Sequence, residues 1–132
     1  MSDHDAVLTA NRSFYEAFEA ADLDAMSEVW EHSERSTCTH PGWVTLRGWS
    51  SISASFFALF QGGRGMQFIL TGEQVEQTGD VAWVSLDENL LDARVGGTMA
   101  ALNLFVRDEE RWRMVVHHAS PVAASAADAG TE

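Results

Sequence analysis

Positive charge is scarce in this 132-residue chain, which has 8 Lys and Arg residues against 20 Asp and Glu residues and a net charge of −12. Nucleic acids and anionic lipid surfaces are bound largely through basic side chains. This acidic composition therefore predicts that neither nucleic acid nor membrane is a partner. The longest run without charge, 48–63, is too short and too rich in serine to cross a bilayer.

Cysteine is nearly absent, since Cys38 stands alone. A single thiol cannot close an intramolecular disulfide, and the residues around it lack the spacing of a structural zinc site. Cys38 is therefore either a small apolar core residue or a nucleophile. The first eight residues are acidic and lack the basic and apolar regions of a secretory signal, so a cytoplasmic protein is expected.

The first half of the chain has the spacing of amphipathic helices. An apolar stripe predicts a helix over 4–21, and Asp22 is a candidate N-cap for a second, shorter helix. Aromatic residues at helical spacing predict a third helix from Trp49 to Phe60, ended by Gly62-Gly63. Two short extended pieces, on either side of the Pro41-Gly42 turn, lie between the second and third helices.

After Gly65 the chain becomes strand-like. Helices first and strands last predict an α+β fold with a segregated antiparallel sheet. Residues 1–121 form one domain in this interpretation, and 122–132 form a disordered tail because large apolar residues are lacking after Val122. Four segments rich in β-branched and aromatic residues carry the strand prediction: Met66–Gln77, Val81–Ala93, Thr98–Arg107 and Arg111–Ser120.

Four strings occur in a suggestive order: AFEAADLDAMSEVW, THPGWVTLRGWSSI, GDVAWVSLDENL and ERWRMVVHHASPV. Together they resemble the nuclear transport factor 2-like superfamily, in particular its SnoaL-like branch, and the last is also similar to the association domain of calcium/calmodulin-dependent protein kinase II. The resemblance implies a cone-like fold, in which a curved antiparallel sheet wraps on the three N-terminal helices. It also implies a pocket at the open end and frequent dimerisation through the sheet. That fold hosts isomerases, dehydratases, cyclases, epoxide hydrolases and binding modules, so the chemistry must come from the pocket residues.

Strand register then predicts which residues face the pocket. A two-residue turn at Glu109-Glu110 pairs Ala101 with His118, and the preceding hairpin pairs Ala101 with Asp87. Asp87 and His118 would then lie on one face with only the small Ala101 between them, as a carboxylate that orients a general base. A β-bulge would put His117 in the place of His118, and both alternatives remain open.

The same register assigns the remaining residues to two faces. Ser85 and Asn103 join the pocket face as hydrogen-bonding groups for a substrate, whereas Glu88 is expected at solvent or at the sheet edge. The opposite face is apolar enough to predict a homodimer through the sheet. It comprises Ala82, Val84, Leu86, Leu90, Ala100, Leu102, Leu104, Val106 and Val115.

Other candidates come from outside the final strands. The resemblance places His40 near the pocket mouth, where it is either a second acid/base group or a loop histidine bonded to backbone. Tyr15, the only tyrosine, can reach the pocket as an oxyanion donor. His117 and His118 point to opposite faces of a strand, so no metal site is predicted. The resemblance also places Trp43 near the pocket mouth, as a substrate contact. Other aromatic side chains are either a ligand wall or core: Trp30, Trp49, Phe56, Phe57 and Trp83.

Three functions are compatible with these residues and with the resemblance. The first is a dimeric protein that binds a small hydrophobic molecule in a pocket with a few polar groups. The alternative is a cofactor-independent isomerase, dehydratase, cyclase or hydrolase, with His118 as the base, Asp87 orienting it and His40 assisting. The third is a structural dimer whose polar row is satisfied internally.

Overall fold

The structure, a computed structural model, describes residues 2–63, 66–91 and 97–123. Three helices precede the four long strands, as the sequence predicts, and two short strands lie between the second and third helices. The elements are α1 (Asp3–Ala20), α2 (Leu23–Val29), β1 (Thr37–Thr39), β2 (Leu46–Arg47), α3 (Trp49–Phe60), β3 (Phe68–Thr78), β4 (Val81–Leu90), β5 (Gly97–Asp108) and β6 (Arg111–Pro121).

Local capping explains the first two helix boundaries. The Ser2 side chain accepts a hydrogen bond from the backbone N–H of Asp5 and starts α1. Ala21, at a φ of 52°, ends it in the left-handed conformation. The Asp22 side chain then caps α2 by accepting from the backbone N–H of Ala25, as predicted. None of the helices in the described ranges is long and apolar enough to cross a membrane.

One curved, unclosed sheet contains all six strands, in the order β2-β1-β6-β5-β4-β3. The pairing of β1 with β6 is parallel and the other pairings are antiparallel, so the sheet is mixed rather than purely antiparallel. The inner face of the sheet packs on α1, and the core between them includes Phe14, Trp30, Phe56 and Phe105. The predicted α+β cone is therefore confirmed.

The predicted register of the last hairpin is wrong beyond its first four pairs. Near the turn, Phe105 pairs with Met114 as expected, but the next pair is Leu104 with Val116. Val115 is therefore the extra residue of a β-bulge, which reverses the side-chain alternation of β6 from that point. Asn103 consequently pairs with His117.

The register between β4 and β5 differs from the prediction by one residue. Asp87 pairs with Ala100 rather than Ala101, and Val84 pairs with Asn103. Because side chains alternate along a strand, this shift exchanges the two faces of β4. Glu88 is buried on the inner face, while Asp87 is exposed on the outer face.

The residues predicted to form the dimer face consequently lie on both faces of the sheet. Ala82, Val84 and Leu86 are buried in the core, whereas Leu102 is exposed on the outside. The corrected outer face still carries a row of large apolar residues among its polar ones: Val81, Trp83, Leu102, Leu104, Val106 and Val116. Of the predicted tail, 122–132, all but the first two residues lie outside the described ranges.

Candidate functional site

A cavity of about 250 Å³ lies between the helices and the inner face of the sheet. Its wall is mainly aromatic and aliphatic, and three buried polar side chains open onto it: His40, Glu88 and His117. A few polar groups in an apolar cavity are typical of a small-molecule site. The apolar and aromatic lining comprises Phe18, Pro41, Trp43, Leu59, Met66, Phe68, Leu90 and Met99.

A larger hollow of about 480 Å³ lies on the outside, between α1, α2 and the start of β6. Its acidic residues, Glu16, Asp22 and Glu28, are all exposed to solvent. Exposed charges interact weakly with a ligand because water screens them. We therefore place the candidate site in the cavity against the sheet.

Glu88 is the buried carboxyl group of this site. Its side chain is 3% exposed, and Tyr15 on α1 donates its hydroxyl proton to Glu88 Oε2 over 2.5 Å. Burial raises the pKa of Glu88 to about 7, although the hydrogen bond from Tyr15 opposes the shift. Glu88 thus exchanges a proton near neutral pH. Burial and the neighbouring Glu88 charge raise the pKa of Tyr15, which therefore stays protonated as the donor.

Asn103 connects the Tyr15–Glu88 pair to His117. Its Nδ2 donates to Asn11 Oδ1 at 2.8 Å and to Tyr15 Oη at 3.1 Å. Its Oδ1 lies 2.6 Å from His117 Nδ1. Because Oδ1 can only accept, His117 carries its proton on Nδ1, which leaves the Nε2 lone pair unused by any described residue. Burial lowers the pKa of His117 to about 3, with His40 and His118 contributing, so the ring is neutral.

His40 approaches the cavity from the loop after β1. Its Nε2 lies 3.0 Å from Ser55 Oγ, and that hydroxyl already donates to the carbonyl of Ile52 at 2.7 Å. Ser55 must therefore accept from His40 Nε2–H, and Nδ1 keeps a lone pair. Burial lowers the pKa of His40 to about 4. The His40 and His117 rings are 6.5 Å apart, so two neutral imidazoles share one side of the cavity.

The structure divides the predicted site residues into four groups. His40 and Trp43 line the cavity, and Tyr15 and Asn103 lie in the hydrogen-bond network behind it. Trp30 is fully buried in the core. The others point away from the cavity: Phe57 is 57% exposed on α3, and Trp83, Ser85, Asp87 and His118 lie on the outer face of the sheet.

The pairing of Asp87 with His118 is therefore wrong. It required both side chains on the pocket face, and the shifted register and the β6 bulge place both on the outer face. Their neighbours in sequence, Glu88 and His117, occupy the inner face instead. The alternative that a bulge brings His117 to the inner face is the one that the structure contains.

Glu88 is the site residue that sequence reasoning missed. A signal for it existed in β4, because Val84 and Leu86 alternate with the polar residues Ser85 and Asp87, and Glu88 continues the spacing of the apolar pair. Following that alternation predicts an inward carboxyl group. No comparable pattern in the sequence predicts the buried hydrogen bonds of Asn11 and Ser55, because small polar residues on helices usually face solvent.

Comparison with known proteins identifies the family. The SnoaL-like domain profile matches residues 7–125, and the chain belongs to this family. A proposed dehydratase of the NTF2-like family from Streptomyces avermitilis is similar, with 35% identity, a TM-score of 0.85 and coverage of 92% of this chain and 97% of that one. A proposed calcium/calmodulin-dependent protein kinase type II association domain from Thiobacillus denitrificans has 29% identity and a TM-score of 0.79, over 88% and 94% of the two chains.

A curated relative is much longer than this chain. The F-box protein SKIP8 of Arabidopsis thaliana is 28% identical over 116 residues, which cover 87% of this chain and 49% of that protein. The chain thus spans about half the length of the curated relative that it matches.

The site offers proton exchange and hydrogen bonding rather than an evident metal centre. In the described part of the chain, no three His, Cys, Asp or Glu side chains are grouped so that they could hold a metal ion. Cys38, which lies against the His40 ring, is fully buried, and burial together with the Glu88 charge raises the pKa of its thiol. The thiolate is thereby disfavoured, which suits an apolar core residue better than a nucleophile.

Proposed function

We propose that this protein binds a small, mainly apolar molecule in the cavity between α1, α3 and the sheet. The supporting observation is that an apolar wall surrounds two almost fully buried polar side chains, His117 and Glu88, each of which forms one side-chain hydrogen bond with the described residues. Both residues line the cavity, so a ligand there can pair with His117 Nε2 and with the Glu88 oxygen that Tyr15 does not occupy. The cavity volume of about 250 Å³ limits the ligand to a compact molecule.

Filling the cavity tests this proposal. Met99 lines the cavity, and the next residue, Ala100, is exposed on the outer face. Ligand-observed NMR with a set of small aromatic fragments should detect binding to the wild type and to Ala100→Trp, but not to Met99→Trp. Thermal melts establish that both variants fold. Fragment binding that persists unchanged in Met99→Trp would place the ligand elsewhere and contradict the proposal.

A second candidate function is cofactor-independent proton transfer in the same cavity. The observation that favours it is Glu88, whose pKa of about 7 lies in the range in which a general base works best at neutral pH. Tyr15 orients the carboxyl group, and the similarity to a proposed dehydratase agrees with chemistry of this class. Glu88 would thus replace the predicted Asp87–His118 pair.

Solvent deuterium exchange can detect this activity without a known substrate. Small carbonyl compounds are incubated with the protein in D₂O, and deuterium next to the carbonyl is measured by mass spectrometry. Exchange that disappears in Glu88→Gln and persists in Asp87→Asn supports catalysis by Glu88. Exchange of equal rate in Glu88→Gln would refute it.

We also propose that two copies associate through the outer face of the sheet. Leu102 is 41% exposed there, and Leu104 and Val106 continue its apolar row along β5. Covering such a row is favourable by about 25 cal/mol per Å². Light scattering at tens of micromolar should give a dimer for the wild type and a monomer for Leu102→Glu, and a monomeric wild type would contradict the proposal.

A further inference from the structure

The polar groups of the cavity all act as hydrogen-bond acceptors toward a ligand. His117 uses its only N–H for Asn103, and His40 uses its only N–H for Ser55. His117 therefore presents its Nε2 lone pair, whereas the His40 Nδ1 lone pair lies 3.9 Å from the Cys38 thiol. An ionised Glu88 presents a carboxylate oxygen that Tyr15 does not occupy. Apart from the indole of Trp43 at the mouth, where that residue is 43% exposed, the lining side chains offer no unused permanent donor.

Glu88 has no cationic partner among the described residues. In that part of the chain none of the cavity-lining residues is Lys or Arg, and Glu88 forms no ion pair. Three aromatic side chains line the same space: Phe18, Trp43 and Phe68. Aromatic faces attract cations, and the attraction is stronger where the contact is shielded from water. The net charge of −12 further favours the approach of a cation over that of an anion.

We propose that the ligand is a compact apolar molecule with a protonated amine, which donates to Glu88 and His117 while the apolar wall holds its skeleton. This inference rests on the proposed binding function and specifies its ligand class. An ammonium group provides N–H donors for the acceptor atoms of His117 and Glu88. It also provides a positive charge beside the Glu88 carboxylate. A neutral alcohol supplies a donor but leaves the carboxylate charge uncompensated.

The proposal predicts how binding depends on pH. An ammonium ion requires the ionised form of Glu88, which prevails above pH 7 and is replaced by the neutral acid below it, because burial holds its pKa at about 7. The other titratable groups facing Glu88 keep one form between pH 5.5 and 8. Tyr15 on α1 and Cys38 on β1 stay protonated, since burial raises the pKa of both, and His40 and His117 stay neutral. Among the described residues, Glu73 on β3 is a further carboxyl group that acts on Tyr15, and it is itself bonded to Asn11 and paired with Arg12.

Two probes of the same shape test the ligand class: 2-phenylethylamine, a cation, and 2-phenylethanol, its neutral counterpart. At pH 8 the wild type should bind the amine at least tenfold more tightly than the alcohol by isothermal titration calorimetry. Lowering the pH to 5.5 should weaken amine binding about 30-fold, because the proton on Glu88 must then leave. Alcohol binding should change little.

Substitution of Glu88 is a second test of the amine proposal. Glu88→Gln should reduce amine affinity to that of the alcohol and abolish its pH dependence, while Asp87→Asn, on the outer face, should change neither. In the wild type near pH 6.5, calorimetry in buffers of different ionisation enthalpy should also show proton release on amine binding, a readout that needs no variant.

The outcomes separate this inference from the function on which it rests. Alcohol binding as tight as amine binding at pH 8, or amine binding that is insensitive to both pH and Glu88→Gln, overturns the amine class but leaves a ligand cavity. Absence of binding by either probe, together with no effect of Met99→Trp on any fragment, overturns both proposals.

Discussion

Glu88 should lower the stability of the unliganded protein at alkaline pH. The substitution that reveals this is Glu88→Gln, which keeps an oxygen to accept the Tyr15 hydroxyl and removes only the charge. The side chain is only 3% exposed, so solvent screening does little to reduce the effect. We expect the variant to be more stable than the wild type at pH 8.

The magnitude follows from the pKa difference between the folded and unfolded states. Burial raises the pKa of Glu88 to about 7 from its ordinary value of 4.5. A tenfold change in the proton-binding constant corresponds to about 1.4 kcal/mol, which gives about 3 kcal/mol for this pKa difference. Because the pKa of Glu88 is higher in the folded state than in the unfolded state, the stabilising contribution of its protonated form is fully present below pH 4.5. This contribution is lost as the pH rises through 7. The advantage of Glu88→Gln should therefore be about 3 kcal/mol at pH 8 and disappear near pH 4.5.

The buried histidines act in the opposite direction but do not obscure the comparison. Burial lowers the pKa values of His40 and His117 to about 4 and 3, so their contribution is present above pH 6.5 and is lost as the pH falls. Both histidines are present in the wild type and in Glu88→Gln, and their contributions cancel in the difference between the two proteins.

Urea unfolding at pH 5, 6.5 and 8 measures this difference. Asp87→Asn is the matched control, because it removes a neighbouring carboxylate that is exposed. Its free energy of unfolding should follow that of the wild type at all three pH values. The reasoning is refuted if Glu88→Gln is no more stable than the wild type at pH 8, or if Asp87→Asn shows the larger pH-dependent change.

Two further predictions concern β6 and the strand beside it. His117→Leu removes the donor 2.6 Å from Asn103 Oδ1 and should reduce the free energy of unfolding by about 1–3 kcal/mol, whereas the exposed His118→Gln should change it by less than about 0.5 kcal/mol. Urea titration at pH 7.5 checks both, and a greater loss in His118→Gln would mean that the bulge is misplaced. Cys38 is fully buried, so its thiol should react with a disulfide reagent in urea but not in the native protein, and rapid native labelling would disprove that burial.

Local signals made most of the fold predictable. The apolar stripe of α1, the Asp22 cap and the turn at Glu109-Glu110 each involve residues within a few positions of one another. Such signals depend on backbone propensity and on side-chain spacing, which the sequence displays directly. The parallel pairing of β1 with β6 joins residues nearly eighty positions apart, and no local pattern indicates it.

The site was harder to predict because it depends on register at a distance from the turns. The turn determines the pairs beside it, such as Phe105 with Met114, but the bulge at Val115 shifts the pairing of every later residue of β6. The stability of this bulge depends on side-chain packing across the whole sheet. One extra residue there decides whether His117 or His118 faces the helices. The sequence therefore predicted a histidine in the pocket, but it did not determine which of the two side chains points inward.

The burial of Glu88 itself argues for a ligand site. Stability alone would favour an apolar side chain at this position, since a buried carboxyl group without a cation costs free energy whenever it ionises. Asn103 and Tyr15 hold the polar groups around it in fixed directions without neutralising its charge. Groups that lower stability and yet are held this firmly are characteristic of functional sites. A protonated amine in the cavity would supply a positive charge that the described residues around Glu88 do not provide, and the carboxylate that weakens the empty protein would then stabilise the complex.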